Sequence, residues 1–166
     1  MQLLLLVLST VLCCVLCSNI DKFDVLPSYP VSLQYKNFTA NDGDKWIFGK
    51  YFSPAFNFGM FIAFLEYSDS HGQYFAEYNP GVIVDGNIAY ACIKYKFADP
   101  ATMLIYGFQA LKKAYNENPP SLCEVCFGDI VFQLRLTDDA SGDADVTPPP
   151  PITDNVVPSV CYKKKE

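Results

Sequence analysis

Ile130-Val131-Phe132-Gln133-Leu134-Arg135-Leu136 alternates strictly on one side: Ile130, Phe132, Leu134 and Leu136 share a face, with Val131, Gln133 and Arg135 on the other. Side chains of an extended chain point to opposite faces in turn, so this stretch reads as a half-buried strand. Val31, Leu33 and Tyr35 alternate with Ser32, Gln34 and Lys36 in the same way, which predicts a second such strand. Lys45 to Phe52, Gln73 to Tyr78 and Asn87 to Phe97 are rich in aromatic and β-branched residues, as strands are.

Turn residues separate these runs at Asn41-Asp42-Gly43-Asp44, Asp69-Ser70-His71-Gly72, Asn79-Pro80-Gly81 and Asp85-Gly86-Asn87. The spacing predicts hairpins in series. Phe56 to Tyr67 differs, because Phe58, Met60, Ile62 and Phe64 fall on one face and Phe61, Ala63 and Leu65 on the other. A strand apolar on both faces is expected to lie between two layers.

One segment carries helix signals. Asp99 can cap, Pro100 suits a first turn, and Leu104, Phe108, Leu111 and Tyr115 recur at i, i+4, i+7 and i+11. Lys112 and Lys113 suit a C-terminal end, and Asn118-Pro119-Pro120 a stop. The expected fold is therefore α+β: a mostly antiparallel sheet of about six to eight strands, sandwich or barrel-like, with one main helix near 100–116 packed on it.

Leu3 to Leu16 is an apolar run broken only by Ser9 and Thr10. Roughly 20 apolar residues are needed to cross a bilayer, so this shorter run reads as the core of a secretory signal peptide. Val15 and Cys17 suit the −3 and −1 positions, which places the leader at 1–17 and an extracellular destination after it. No second run of that length predicts a membrane span. A globular domain is then expected over 18–137 and an acidic, proline-rich tail over 138–166.

Removal of the leader takes Cys13, Cys14 and Cys17 and leaves Cys92, Cys123, Cys126 and Cys161. Four cysteines in an oxidising compartment predict two disulfides, with three pairings open. Cys123 and Cys126 have the spacing of a redox dithiol or of half a zinc site. No second close pair exists to complete a zinc site, and the dithiol does not open a helix after a strand. From Asp138 to Ser159 the chain holds no aromatic residue, five aspartates and the run Pro148 to Pro151. Such a segment does not fold alone. A disulfide from Cys161 to Cys123 or Cys126 would close a loop of about 35 residues, worth about 4 kcal/mol on the chain-entropy model, and would tether the tail to the domain.

Twelve basic and eighteen acidic residues give a net charge of −6. The only basic run is Lys163-Lys164-Lys165, so nucleic acid is not an expected partner. Catalytic chemistry is thinly supplied. His71, the sole histidine, sits in a turn, and Glu66 and Glu77 are the strand-borne carboxylates that could act as a pair, although each reads as exposed near a strand end. Asp138, Asp139, Asp143 and Asp145 crowd together near Gly142, but no frame matches an EF-hand loop. No metal, no cofactor and no catalytic residue is therefore assigned. Asn37-Phe38-Thr39 is an acceptor sequence for N-glycosylation at Asn37.

The chain has 25 aromatic residues, concentrated from Trp46 to Tyr78. Trp46, Phe48, Phe58, Phe61 and Phe64 are the expected contacts for a partner or ligand, because aromatic side chains dominate both binding faces and apolar pockets. The reading is a secreted, non-enzymatic protein that engages another extracellular protein. The alternative is an extracellular carrier holding a small apolar ligand between sheet and helix.

Overall fold

The computed structural model describes residues 28–55, 59–152 and 156–164. The leader expected at 1–17 and the candidate contact Phe58 lie outside them. The strands, in chain order, are β1 (Lys36–Ala40), β2 (Lys45–Phe48), β3 (Phe52–Ala55), β4 (Gly59–Asp69), β5 (Gly72–Val84), β6 (Asn87–Asp99), β7 (Thr102–Phe108), β8 (Leu111–Ala114) and β9 (Ile130–Asp138). One helical turn, α1 (Leu122–Val125), falls between β8 and β9, and the tail carries short 3₁₀ turns at Asp139–Ser141 and Ser159–Lys164.

All pairings are antiparallel. The order is β5-β4-β3-β2-β1-β9-β7-β6-β8, and β5 also pairs with β6, so the sheet curls back on itself. The join between β2 and β3 is the thinnest, with Trp46 facing Ala55 alone.

Local chemistry explains the turns. Gly43 takes φ +94 between β1 and β2, where the Asp42 carboxylate accepts the Asp44 N–H. Asp85 and Gly86 take φ +53 and +74, the two positive values that a two-residue hairpin turn of type I′ requires. Their φ values let Val84 face Asn87 across the connection between β5 and β6.

The helix expected near 100–116 is not formed; β7, a connecting turn and β8 occupy that segment instead. Every residue of β7 is buried, Met103 and Ile105 toward the inside of the curl and Leu104 and Tyr106 toward the outside. A run buried on both faces is apolar at every position, so residues at helical spacing are present by default. The Asp99 carboxylate does accept a backbone N–H two residues on, from Ala101 at 2.8 Å. Here that bond closes a Pro100-Ala101 hairpin turn, with Asp99 paired to Thr102.

Two further expectations change. Residues 31–35 form a turn and not a strand: Leu33 N–H bonds to Pro30 O, Tyr35 takes φ +63, and only Leu33 is buried while Val31 and Tyr35 are 82% and 76% exposed. Asn79-Pro80-Gly81 does not end a strand either. It lies inside β5 at a register shift between Tyr78 and Ile83, a place where a residue without an N–H is tolerated.

The strands bury two clusters, one on each face. The inner one gathers Tyr29, Leu33, Phe38, Phe48, Phe75, Ile93, Tyr95, Met103, Ile105 and Leu136 with the small Ala40 and Ala63. The outer one joins Phe64, Tyr74, Ala76, Ile88, Tyr90, Cys92 and Phe108 to Val125 and Cys126 of the α1 region. Val156 and Val157 of the tail pack against the outer cluster.

Candidate functional site

Of the expected contact aromatics, the four among the described residues do not form one surface. Phe48 is buried in the inner cluster, Trp46 packs against it from β2, and Phe64 belongs to the outer cluster; Phe61 is half-buried on β4. Ring-to-ring packing engages Trp46, Phe48 and Phe64. Tyr29, Phe38, Trp46 and Phe75 all lie within 5.1–6.2 Å of Phe48, centroid to centroid, and Phe64 lies 5.5 Å from Tyr90. At the edge of the inner cluster Trp46 meets Phe132 at 6.4 Å, and the Phe132 ring covers Gly107 so closely that a Cβ there would sit 2.0 Å from it.

The interior of the curl also holds a carboxylate. Glu77 on β5 faces Ala63 of β4 and accepts a 2.6 Å hydrogen bond from the Tyr29 hydroxyl. Burial pushes its carboxyl up to about 7, and the Tyr29 bond draws it back only in part. The Tyr29 phenol is in turn raised by burial and by the charge of Glu77. Glu66, the other strand-borne carboxylate, is exposed, so the structure does not present the two as an equivalent pair.

On the outer face the tail returns to the domain. The Asp69 carboxylate accepts the N–H groups of His71 and Gly72 in its own turn and that of Ser159 from the tail at 2.6 Å. Burial acts to raise the Asp69 carboxyl, but the bonds from Ser159 and His71 outweigh it and hold the group below its ordinary value. His71 Nδ1 lies 3.3 Å from the Val157 carbonyl, and Arg135 Nε donates to the Thr147 carbonyl at 2.9 Å while its guanidinium pairs with Asp145. His71, Gly72, Lys94, Tyr95, Lys96, Tyr106 and Ile152 line a small pocket of about 50 Å³ here. Lys94 is buried with its stem across Gly72, whose φ of +145 and missing side chain make the room; a Cβ would fall 2.7 Å from Lys94 Cε.

Two disulfides fasten this face. Cys92 of β6 bonds Cys126, and Cys123 of α1 bonds Cys161 of the tail, with Cα atoms 5.1 and 5.2 Å apart. The Cys123/Cys126 motif is thus divided between two bridges. The turn that carries it is capped by Glu124, whose carboxylate accepts the Ser121 N–H and hydroxyl at 2.7 and 2.8 Å and meets Lys113 of β8.

Sequence reasoning missed a different surface. Ile83 and Val84 at the end of β5 and Tyr115 just after β8 are 48%, 52% and 65% exposed. They share one hairpin end because Val84 faces Asn87, Asn87 faces Ala114, and the Tyr115 N–H bonds to the Gly86 carbonyl; as successive strand residues, Ile83 and Val84 stand on opposite faces of it. The β5–β6 hairpin tip therefore presents three large apolar side chains around Asp85-Gly86. Ile83 and Val84 were legible as an apolar pair beside a turn, but β8 was needed to bring Tyr115 to them.

Asn37 of β1 is exposed and stands opposite Ile47 of β2 on the outer face. Among the described residues no helix is long and apolar enough to cross a membrane, and no group of three or more His, Cys, Asp or Glu gathers as a metal site. No family model matches the chain, and neither a curated protein nor a solved structure is significantly similar to it.

Proposed function

We propose that this is a secreted, non-catalytic binding protein that engages another extracellular protein through the β5–β6 hairpin tip. The observation that carries the reading is the exposure of Ile83, Val84 and Tyr115 together at one tip, while most of the placed aromatics are absorbed in the two cores. Apolar side chains concentrated on an exposed feature favour a protein partner. Two disulfides suit an oxidising, extracellular setting. The carboxylates and His71 favour the non-catalytic reading, since Glu77 is enclosed with Tyr29, Glu66 is exposed opposite Phe75 on the neighbouring strand, and His71 lies against the tail. The carrier alternative draws less support: ligand pockets run to about 300–1,000 Å³, against about 50 Å³ beside His71.

The test is capture from the extracellular fluid of the natural source with tagged full-length protein and a chemical crosslinker. Proteins held by the wild type should be lost with Ile83→Asp plus Val84→Asp and kept with Val31→Asp, which alters an exposed apolar residue elsewhere. Equal capture by all three overturns the tip as the docking site. An apolar molecule co-purifying in native mass spectrometry would favour the carrier instead.

A further inference from the structure

We infer that Asn37 carries an N-linked oligosaccharide that shields the outer wall of β1 and β2 and leaves the hairpin tip on the unshielded side; the second half of this inference rests on the docking reading above. The acceptor triplet is Asn37-Phe38-Thr39, with no proline at its centre. In the folded chain its residues separate by face. Phe38 is fully buried, whereas Asn37 is exposed, and no described residue hydrogen-bonds its side-chain amide. A bulky, hydrophilic adduct on Nδ2 therefore meets solvent and not core. Had the register been shifted by one residue, Asn37 would point inward and the adduct would be incompatible with the fold.

The attachment joins the Asn37 amide nitrogen to the anomeric carbon of the first sugar. The nitrogen loses one proton, and the lipid diphosphate of a lipid-linked oligosaccharide leaves. That donor is the co-reactant the secretory route must supply.

Position in the sheet gives the glycan a direction. Asn37 stands directly across from Ile47, which is 39% exposed, with Lys45 and Asp139 farther along the same outer face, where they pair at 3.0 Å. Along the strand order β1 is separated from β5 by β2, β3 and β4, and from β6 by β9 and β7. The β1–β2 wall thus lies across the curl from the β5–β6 hairpin, and from the outer cluster that the disulfides fasten. A sugar on Asn37 covers Ile47 and leaves Ile83, Val84 and Tyr115 accessible.

The experiment uses full-length protein secreted from eukaryotic cells. Intact mass should show a glycan that is lost on treatment of the folded protein with a peptide N-glycanase, which leaves Asp at position 37. The same mass increment should be absent from Asn37→Gln and Thr39→Ala and present in Thr39→Ser. Covalent surface labelling, compared before and after enzymatic removal, should rise at Ile47 and stay constant at Ile83, Val84 and Tyr115. An unmodified wild-type mass overturns the site. A rise at the tip equal to that at Ile47, or partner capture that appears only after deglycosylation, overturns the shielded side. Failure of the docking reading is distinguishable, because it appears as capture unaffected by the tip substitutions whatever the glycan's state.

Discussion

On β5 and β6 successive side chains enter two different environments. Phe75, Glu77, Ile93 and Tyr95 point into the curl, where aromatic rings pack around Tyr29 and no disulfide among the described residues crosses. Tyr74, Ala76, Tyr90 and Cys92 point outward, where the sheet's cover is a single helical turn and a proline-rich tail. Those covering pieces are too short to hold themselves in place, since an isolated helix needs about 12–15 residues to be even marginal. Cys92–Cys126 and Cys123–Cys161 supply what length does not. Strands closed over an aromatic core can tolerate a carboxylate, while a patchwork cover needs cross-links.

The largest expected break in this comparison is on the outer side. Replacing both Cys92 and Cys126 with Ala should lower stability by about 2–5 kcal/mol, read as a fall in the denaturation midpoint. Cys92 and Cys126 are fully buried, whereas Cys123 and Cys161 are half-buried. Brief reduction followed by alkylation should therefore label Cys123 and Cys161 first, because thiol exchange depends on access. Earlier labelling of Cys92 and Cys126 would show that the outer cover opens as a whole.

The inner side should respond to pH. Glu77 is raised from its ordinary 4.5 to about 7, so the folded state favours the protonated acid. Its contribution is full below about pH 4.5 and is lost as pH rises through about 7, at about 1.4 kcal/mol for each pH unit between those values. Glu77→Gln should flatten that slope in thermal unfolding. Tyr29→Phe removes the donor that draws the carboxyl down, and should extend the loss above pH 7. An unchanged slope in Glu77→Gln would place the titration elsewhere.

How much of this was legible follows from burial. β9 was legible because Leu134 and Leu136 face the inner core at period two, but the shared face breaks at its start: Phe132 is exposed and Ile130 packs on the outer cluster, where the pairing with β7 shifts register between Gly107 and Phe108. Thr102 to Phe108 is buried on both faces, and the information that would distinguish strand from helix is absent from its apolar pattern. Asp99-Pro100 could not decide, because an aspartate accepting an N–H two residues on is common to caps and turns. Glu77 was read as a strand end because Asn79-Pro80-Gly81 resembles a turn; the strand continues through it as a bulge, which leaves Glu77 in the interior. Of the site, the cysteines and Asn37 were identifiable by residue type. The partnering of Cys92 with Cys126, and the meeting of Tyr115 with Ile83 and Val84, depend on pairings between distant segments.

The smallest effect expected is also on the outer face, and its pH dependence has the opposite sign. Asp69 holds the tail through the Ser159 N–H and its own turn through His71 and Gly72, and its carboxyl lies below the ordinary value. A lowered acid stabilises the fold above its unfolded pKa, and that contribution is lost as pH falls through the folded one. Asp69 is only partly buried, so hydrogen bonds that could be worth more to a fully buried ion are expected to contribute about 1 kcal/mol or less after screening. Asp69→Asn keeps one acceptor oxygen but loses the charge that three N–H groups share. It should therefore increase amide exchange at Ser159 at neutral pH, leave the Cys123–Cys161 bridge intact and hardly move the denaturation midpoint. Wild-type protein acidified well below the ordinary aspartate range should show the same local increase, while the Glu77-linked interior is at its most stable. Unchanged exchange at Ser159 in Asp69→Asn would mean that the disulfide alone seats the tail, and the outer face would then owe its order to covalent bonds rather than to charge.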